Sequence, residues 1–161
     1  INIPLFEKVI QDIEPFCDQS KILIDYYCGV GAISLSLAQR FKKIILVDNN
    51  QEAIEWAEKN IKINSCFHCQ PNLFSAEKMV DLIEREKIII FDPPRAGIHP
   101  KIIKRILKQR PIRIIYLSCN PVTQLADISK ILPFYQIKLI NIYNFFPRTP
   151  HQEILCILDR K

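Results

Sequence analysis

Short β-branched runs alternate with stretches of helical period, which predicts a doubly wound α/β domain around a mainly parallel sheet. The most unusual residues stand just after the apolar runs, where such a sheet places its ligand-binding rim. The last two apolar runs have no helix between them, which predicts an antiparallel hairpin at one edge.

Residues 4–16 carry the period of an amphipathic helix, and 21–25 read as the first strand. Residues 33–41 are expected to be a helix and 43–48 a strand. Residues 51–63 form a helix with Ala53, Ile54, Ala57 and Ile61 on one face, and Trp56 is assigned to the core. Residues 66–70 make a weak strand, followed by a helix over 76–85. Residues 88–91 are a strongly apolar strand, 101–109 a helix, 112–117 a strand and 123–132 a helix. Residues 136–143 and 153–159 are the closing strand pair, joined by a loop that contains Pro147 and Pro150.

The 161 residues suit one domain, and 48% hydrophobic content excludes a disordered chain. No apolar run approaches the roughly 18 residues of a membrane span, and no secretory leader is read at the start. The chain opens at Ile1 rather than Met and is expected to be part of a longer protein. Lys and Arg exceed Asp and Glu by 22 to 17, a mild +5 that suits a nucleic-acid partner without identifying one. Six cysteines are too sparse for a disulfide scaffold, so a reducing, cytoplasmic setting is expected. Cys66 and Cys69 form half of a zinc site with no second pair at ligand spacing, and no metal is expected.

The rim residues carry the chemistry. Asp25, then Tyr27, then Gly29-Val30-Gly31 make a turn that lets a ligand approach the backbone, without the third glycine of a dinucleotide fingerprint. Asp48 ends the second strand, where an acid accepts hydrogen bonds from ribose hydroxyls. Together they favour a nucleoside-bearing cofactor such as S-adenosylmethionine over a pyrophosphate dinucleotide; a purely structural βα turn is the plainer alternative. Asn72 follows the third strand. Asp92-Pro93-Pro94-Arg95-Ala96-Gly97 follows the fourth, and its two prolines hold the Asp92 carboxylate rigidly over the rim. Cys119, in Ser118-Cys119-Asn120-Pro121, alone reads as a packed thiol, and its rim position turns the reading toward a nucleophile. Glu153, beside aromatic residues, is either a base of raised pKa or a solvated strand-end glutamate.

These four motifs, ending with residues 146–153 (Phe-Pro-x-Thr-x-His-x-Glu), resemble in this order the RNA uracil-C5 methyltransferases. The resemblance covers residues 25–158 and implies a Rossmann-like methyltransferase fold dependent on S-adenosylmethionine. Residues 111–121, and more weakly Asn72-Leu73, look more like the branch acting on 23S ribosomal RNA than the transfer-RNA branch. By resemblance, Asp25, Tyr27, Gly29, Gly31, Asp48, Asn72 and Asp92 fall in the cofactor site; Cys119 matches the nucleophile and Glu153 the general base. Arg95, Arg148 and Lys101 are placed to hold phosphates. The sequence departs from the family at Ala32, where Asn is usual, and at Asp48, where Glu is usual. At Asn144-Phe145 a neutral residue replaces an acid. The resemblance also implies an RNA-binding barrel and a central region upstream, with any iron–sulfur cysteines in that part rather than here.

A uracil C5 needs a soft thiolate at C6 before it can take a methyl group, and a base must then remove its proton. The target base would leave its stack to enter the rim. Transfer-RNA uracil methylation, amino-group methylation of nucleic acid and a non-catalytic nucleotide-binding module are the alternatives. The pair Cys119 and Glu153 separates uracil methylation from the last two.

Overall fold

The computed structural model describes residues 2–145 and 152–161. The strands β1 (Ile22–Tyr26), β2 (Lys43–Asp48), β3 (Cys69–Leu73), β4 (Ile88–Phe91), β5 (Arg113–Ser118), β6 (Tyr135–Tyr143) and β7 (Glu153–Arg160) form one sheet. Their order is β3-β2-β1-β4-β5-β7-β6. The first five run parallel to one another, whereas β7 runs antiparallel to both β5 and β6. The expected edge hairpin is therefore present, with its second strand turned inward against β5.

Strands covered on both faces should be continuously apolar rather than alternating. Ile88 to Phe91 and Ile114 to Leu117 are all buried. Alternate side chains feed two cores. Ile88, Ile90, Ile115 and Leu117 pack with Val9 and Ile13 of α1 (Ile3–Ile13), with Ile33 of α2 (Ala32–Ser36) and with Ile61 of α3 (Gln51–Ile63). On the opposite face Ile89, Phe91, Ile114 and Tyr116 pack with Ile102, Ile103 and Ile106 of α4 (Pro100–Gln109). Ile128 and Ile131 of α5 (Pro121–Ile131) complete that second layer.

Helix starts explain part of the proline content. Pro4, Pro100 and Pro121 occupy first turns, where a missing N–H is harmless. The preceding Asn2, His99 and Asn120 side chains each accept a first-turn N–H, as Asn50 does for α3.

Several expected elements differ. Residues 76–85 form two 3₁₀ turns, Ala76–Lys78 and Val80–Leu82, rather than a helix. Side chains take the carbonyls a helix would need: Tyr26 Oη donates to Met79 O (2.6 Å) and Lys87 Nζ to Leu82 O (3.1 Å). The expected 33–41 helix breaks after Ser36 and resumes as a 3₁₀ turn, Ala38–Arg40. Cys66 lies on a turn rather than in β3, because Cys69 N–H closes back on Cys66 O at 2.9 Å. Trp56 is exposed rather than core, with the Lys59 ammonium 4.1 Å from the centre of its ring.

At the end of the sheet away from the rim, Arg113 of β5 forks onto Asp159 of β7, with Nη2 to Oδ2 at 2.7 Å. It also donates to Phe16 O. Both side chains are largely buried, so removing one leaves a charge without its partner. Arg113→Ala should therefore destabilise the chain by about 2 kcal/mol. Circular dichroism should then show unfolding roughly 4–8 °C lower than in the parent chain.

Candidate active site

The rim is built first by backbone strain after β1. Tyr27, Gly29 and Gly31 all adopt positive φ (63°, 53° and 79°), which turns the chain away from the sheet. Tyr27 is a non-glycine residue in that region, and N–H groups of Tyr27 (2.9 Å) and Cys28 (3.3 Å) to Val47 O hold it there. At Gly31, φ of 79° favours glycine, and a Cβ there would also press on Leu46 Cδ2 at 2.8 Å. A Cβ on Gly29 would meet nothing within 4 Å, so the backbone there faces open space.

Asp48 fastens this turn to β2. Its Oδ2 accepts the Gly29 N–H at 2.8 Å and its Oδ1 the Asn50 N–H at 2.9 Å. Each carboxylate oxygen retains a second acceptor site, which leaves room for a ligand hydroxyl. Asn72 is more committed: both of its amide hydrogens go to main-chain carbonyls, Leu46 O at 3.3 Å and Gln70 O at 3.0 Å. Only its side-chain oxygen is left for a ligand.

A cleft of about 260 Å³ opens over the ends of β1, β4 and β5. Asp25, Tyr27, Asp92 and Glu153 line it together with apolar Phe6, Cys28, Ile33, Leu117 and Phe145. Asp48, Asn72, the two glycines and Cys119 stand outside this lining. Burial raises the Asp25 carboxyl to about 7, against the opposing hydrogen bond from Ser34 Oγ and with a push from Asp92 and Asp48. Burial and then the Asp92 charge raise Glu153 to about 7. Asp92 is also pushed up by the protein around it, although water reaches this rim-exposed carboxyl and moderates the rise. Among the described residues, three carboxylates thus share one cleft without a lysine or arginine in its wall. Burial also pushes the Cys28 thiol far up, with Asp25 and Asp48 opposing its ionisation, so this thiol stays protonated.

Cys119 follows β5, between strand and helix, partly exposed and with a free thiol. The β5–β7 ladder ends with Ser118 opposite Ile154. The next residues beyond that last pair are Cys119 on the β5 side and Glu153 at the start of β7. Asn120 caps α5 and donates through Nδ2 to Arg95 O at 2.9 Å, and Thr123 Oγ1 reaches the same carbonyl at 3.2 Å. Asn120 therefore holds the loop of Arg95 in place, with its side chain committed to the backbone.

Sequence reasoning missed Asp127. This buried α5 carboxylate accepts the Ile98 N–H at 2.8 Å and the Tyr116 hydroxyl at 3.2 Å, and so anchors the loop after Asp92. Gly97, at φ 83°, is required there because a Cβ would sit 2.7 Å from Asp127 Oδ2. The available signal was the helical spacing of Asn120, Thr123 and Asp127, three polar residues on one face. Phe6 and Ser34 also went unread, being ordinary helix residues until the fold sets Phe6 in the cleft wall and Ser34 against the Asp25 carboxylate. Arg148, His151, Pro147 and Pro150 lie outside the described residues. Among the described residues no group of three or more His, Cys, Asp or Glu could hold a metal ion, and no helix is long and apolar enough to cross a membrane.

The family described as tRNA (Uracil-5-)-methyltransferase matches residues 2–161. The chain is 40% identical over 156 residues to the tRNA (uracil(54)-C(5))-methyltransferase of Pyrococcus horikoshii, covering 97% of this chain and 36% of that protein. It is 36% identical over 160 residues to an uncharacterized RNA methyltransferase of Chlamydia muridarum, covering 96% of this chain and 40% of that protein. The crystal structure of Pyrococcus abyssi tRNA (uracil-54, C5)-methyltransferase in complex with S-adenosyl-L-homocysteine superposes with a TM-score of 0.81. That pair is 33% identical and covers 94% of this chain and 37% of the other. The chain thus spans about two fifths or less of these relatives' length. With the Rossmann-like methyltransferase fold and its rim in place, this chain belongs to the tRNA (uracil-5-)-methyltransferase family.

Proposed function

We propose that this chain is the catalytic part of an RNA uracil-C5 methyltransferase that uses S-adenosylmethionine, with Cys119 as nucleophile and Glu153 as general base. The observation that supports the reading is the register of β7, which brings Glu153 at the start of that strand to the end of β5 that Cys119 follows.

The cleft fits the cofactor by the chemistry of its walls. Asp25, Asp92 and Glu153 suit a ligand bearing an ammonium and a sulfonium, and would repel the pyrophosphate of a dinucleotide. Tyr27, Gly29, Gly31, Asp48, Asn72, Asp25 and Asp92 would hold it, with the open backbone at Gly29 and the remaining acceptor sites of Asp48 toward its nucleoside end. When bound, S-adenosylmethionine supplies the methyl group that C5 of uracil takes up.

The protein's own part is addition and proton removal. The Cys119 thiolate forms a bond to C6, and the electrons of the C5–C6 double bond pass toward C5 and the neighbouring carbonyl. After C5 is methylated, Glu153 takes the C5 proton; the freed pair restores the double bond and the Cys119 sulfur leaves. A base whose pKa lies near 7 matches that task at neutral pH. As to the RNA, similar proteins of Pyrococcus furiosus, Pyrococcus horikoshii and Saccharomyces cerevisiae are named tRNA (uracil(54)-C(5))-methyltransferases, which favours tRNA over the 23S ribosomal RNA suggested by residues 111–121. Methylation of an unmodified tRNA against an unmodified 23S fragment by the longer protein decides between them.

Cys119→Ala should abolish methylation and any covalent protein–RNA species. Glu153→Gln should still add and methylate but accumulate a methylated RNA joined to Cys119, seen as a denaturant-resistant band. Normal turnover by Glu153→Gln would place the base elsewhere.

A second expectation concerns pH. Glu153 must be ionised to act, so the rate of proton removal should rise about tenfold per unit up to roughly pH 7 and level off above it. Asp92→Asn removes a neighbouring negative charge and should move that midpoint down.

The same electrostatics govern binding. A cationic ligand needs Asp25 ionised, so affinity for S-adenosylmethionine, whose sulfonium and ammonium outweigh its carboxylate, should strengthen from about pH 5.5 to 8 with proton release on binding. Calorimetry in buffers of different ionisation enthalpy reads both. Stronger binding of NAD, or full affinity in Asp48→Ala, would sink the cofactor assignment.

A further inference from the structure

The helix α4 is the most polarised element of the chain. Its apolar face, Ile102, Ile103 and Ile106, is buried against the sheet. Its outer face carries Lys101, Lys104, Arg105 and Lys108, followed by Arg110 at the cap, with no carboxylate between Pro100 and Arg110. These are five of the chain's 22 cations; the remaining 17 balance its 17 acids. The entire net charge of +5 can therefore be assigned to this one helix.

Arg105 is turned to structural use: it pairs with Asp81 at 3.3 Å and donates to Ile83 O. Lys101, Lys104 and Lys108 are exposed and take part in no salt bridge among the described residues. With Val80 and Arg105 they line a shallow, open depression of about 290 Å³. The acids facing this side are Asp81, engaged by Arg105, and Glu77, whose carboxyl its own main-chain N–H, Ser75 and then His99 and Lys101 hold below the usual range. At the helix start His99 N–H reaches the Tyr27 hydroxyl at 3.3 Å, so the stripe begins at the wall of the cleft. From Lys101 to Lys108 it runs about 10 Å along the helix.

We propose that Lys101, Lys104 and Lys108 form a phosphate-binding track that carries the strand of substrate RNA flanking the target base. The proposal takes the identity of the polyanion from the uracil reading above. A membrane surface is disfavoured because the apolar face of α4 lies in the core, leaving nothing to insert. A protein partner would call for aromatic or apolar anchors at the centre of the patch, and α4 exposes none. Flexible ammonium groups at regular spacing suit sequence-independent phosphate contacts, which position a strand without reading it.

The test is fluorescence anisotropy of the whole chain with a short uridine-rich RNA between about 25 and 200 mM salt. Lys101→Gln, Lys104→Gln and Lys108→Gln are combined in one variant. A control of equal charge combines Lys42→Gln, Lys59→Gln and Lys62→Gln, which are exposed on other elements. The α4 variant should lose about tenfold or more in affinity at low salt, and its plot of log affinity against log salt should flatten by about 2, at about 0.7 per lost contact. The control should keep nearly the parent slope. Equal losses in both variants, no loss in the α4 variant, no binding by the parent chain at the lowest salt, or equal competition by polyglutamate would each overturn the proposal. Adduct formation between Cys119 and a 5-fluorouridine RNA is followed in parallel. An adduct with an unchanged α4 slope rejects the track and spares the uracil reading; a lost slope without an adduct supports the track and rejects that reading.

Discussion

The ladder between β5 and β7, with Arg113 against Asp159 at one end and Ser118 against Ile154 at the other, decides which residues can meet at the rim. A parallel β7 would start at the far end of the sheet and carry Glu153 away from every residue of the cleft. The antiparallel strand starts where the parallel ones finish. Gln124 fixes this arrangement from the helix above: its buried side-chain amide donates to Tyr116 O (2.9 Å) on β5 and Ile154 O (3.0 Å) on β7. A packing helix thus sets the mutual position of a thiol and a carboxylate that it does not itself carry.

The cleft that results is electrostatically unfavourable on its own. Burying Asp25 at 2% exposure, with Ser34 as its hydrogen-bond donor and two further carboxylates nearby, raises its pKa instead of stabilising its charge. Between the ordinary carboxylate range and about 7 the folded chain binds more protons than the unfolded one, so this group lowers stability as pH rises. A fold under selection for stability alone would replace such a residue by an apolar one of similar size. Its presence beside Glu153 is what a site for a cationic ligand requires, and the Arg113–Asp159 fork and the two isoleucine-rich cores offset it elsewhere.

The elements legible in the sequence were those whose pattern is dictated by burial. The strands β2 and β4 and the helix α3 have the expected limits, because an apolar strand covered on both faces and a helix with an Asn cap admit few alternatives. Residues 76–85 were illegible for a different reason. Their apolar spacing is helical, but Tyr26 and Lys87 capture carbonyls from elsewhere in the chain, and no local pattern announces that. Trp56 shows the converse: a large ring on an amphipathic helix suggests core, yet Lys59 four-atom reach supplies enough cover to leave it at the surface. At the site, residues at strand ends were visible because glycine, proline and acid are conspicuous there. Asp127 was not, since a helical aspartate looks like a solvated one until Gly97 and Ile98 are folded against it.

Charge is sorted in space more sharply than +5 suggests. Carboxylates line the cleft over β1 and β4, lysines line the outside of α4, and the short segment from Asp92 to His99 joins the two. A polyanion drawn to the lysines is kept out of the cleft by Asp25, Asp92 and Glu153, whereas a neutral base is not. The same separation favours a cation inside. The segment joining the two fields is tied down by Asn120, Thr123 and Asp127 from the cap and body of α5 and by Tyr27 from the turn after β1. Movement there would change the cleft wall and the direction of α4 together, so α5, which follows Cys119 directly, holds both fields in register with the thiol.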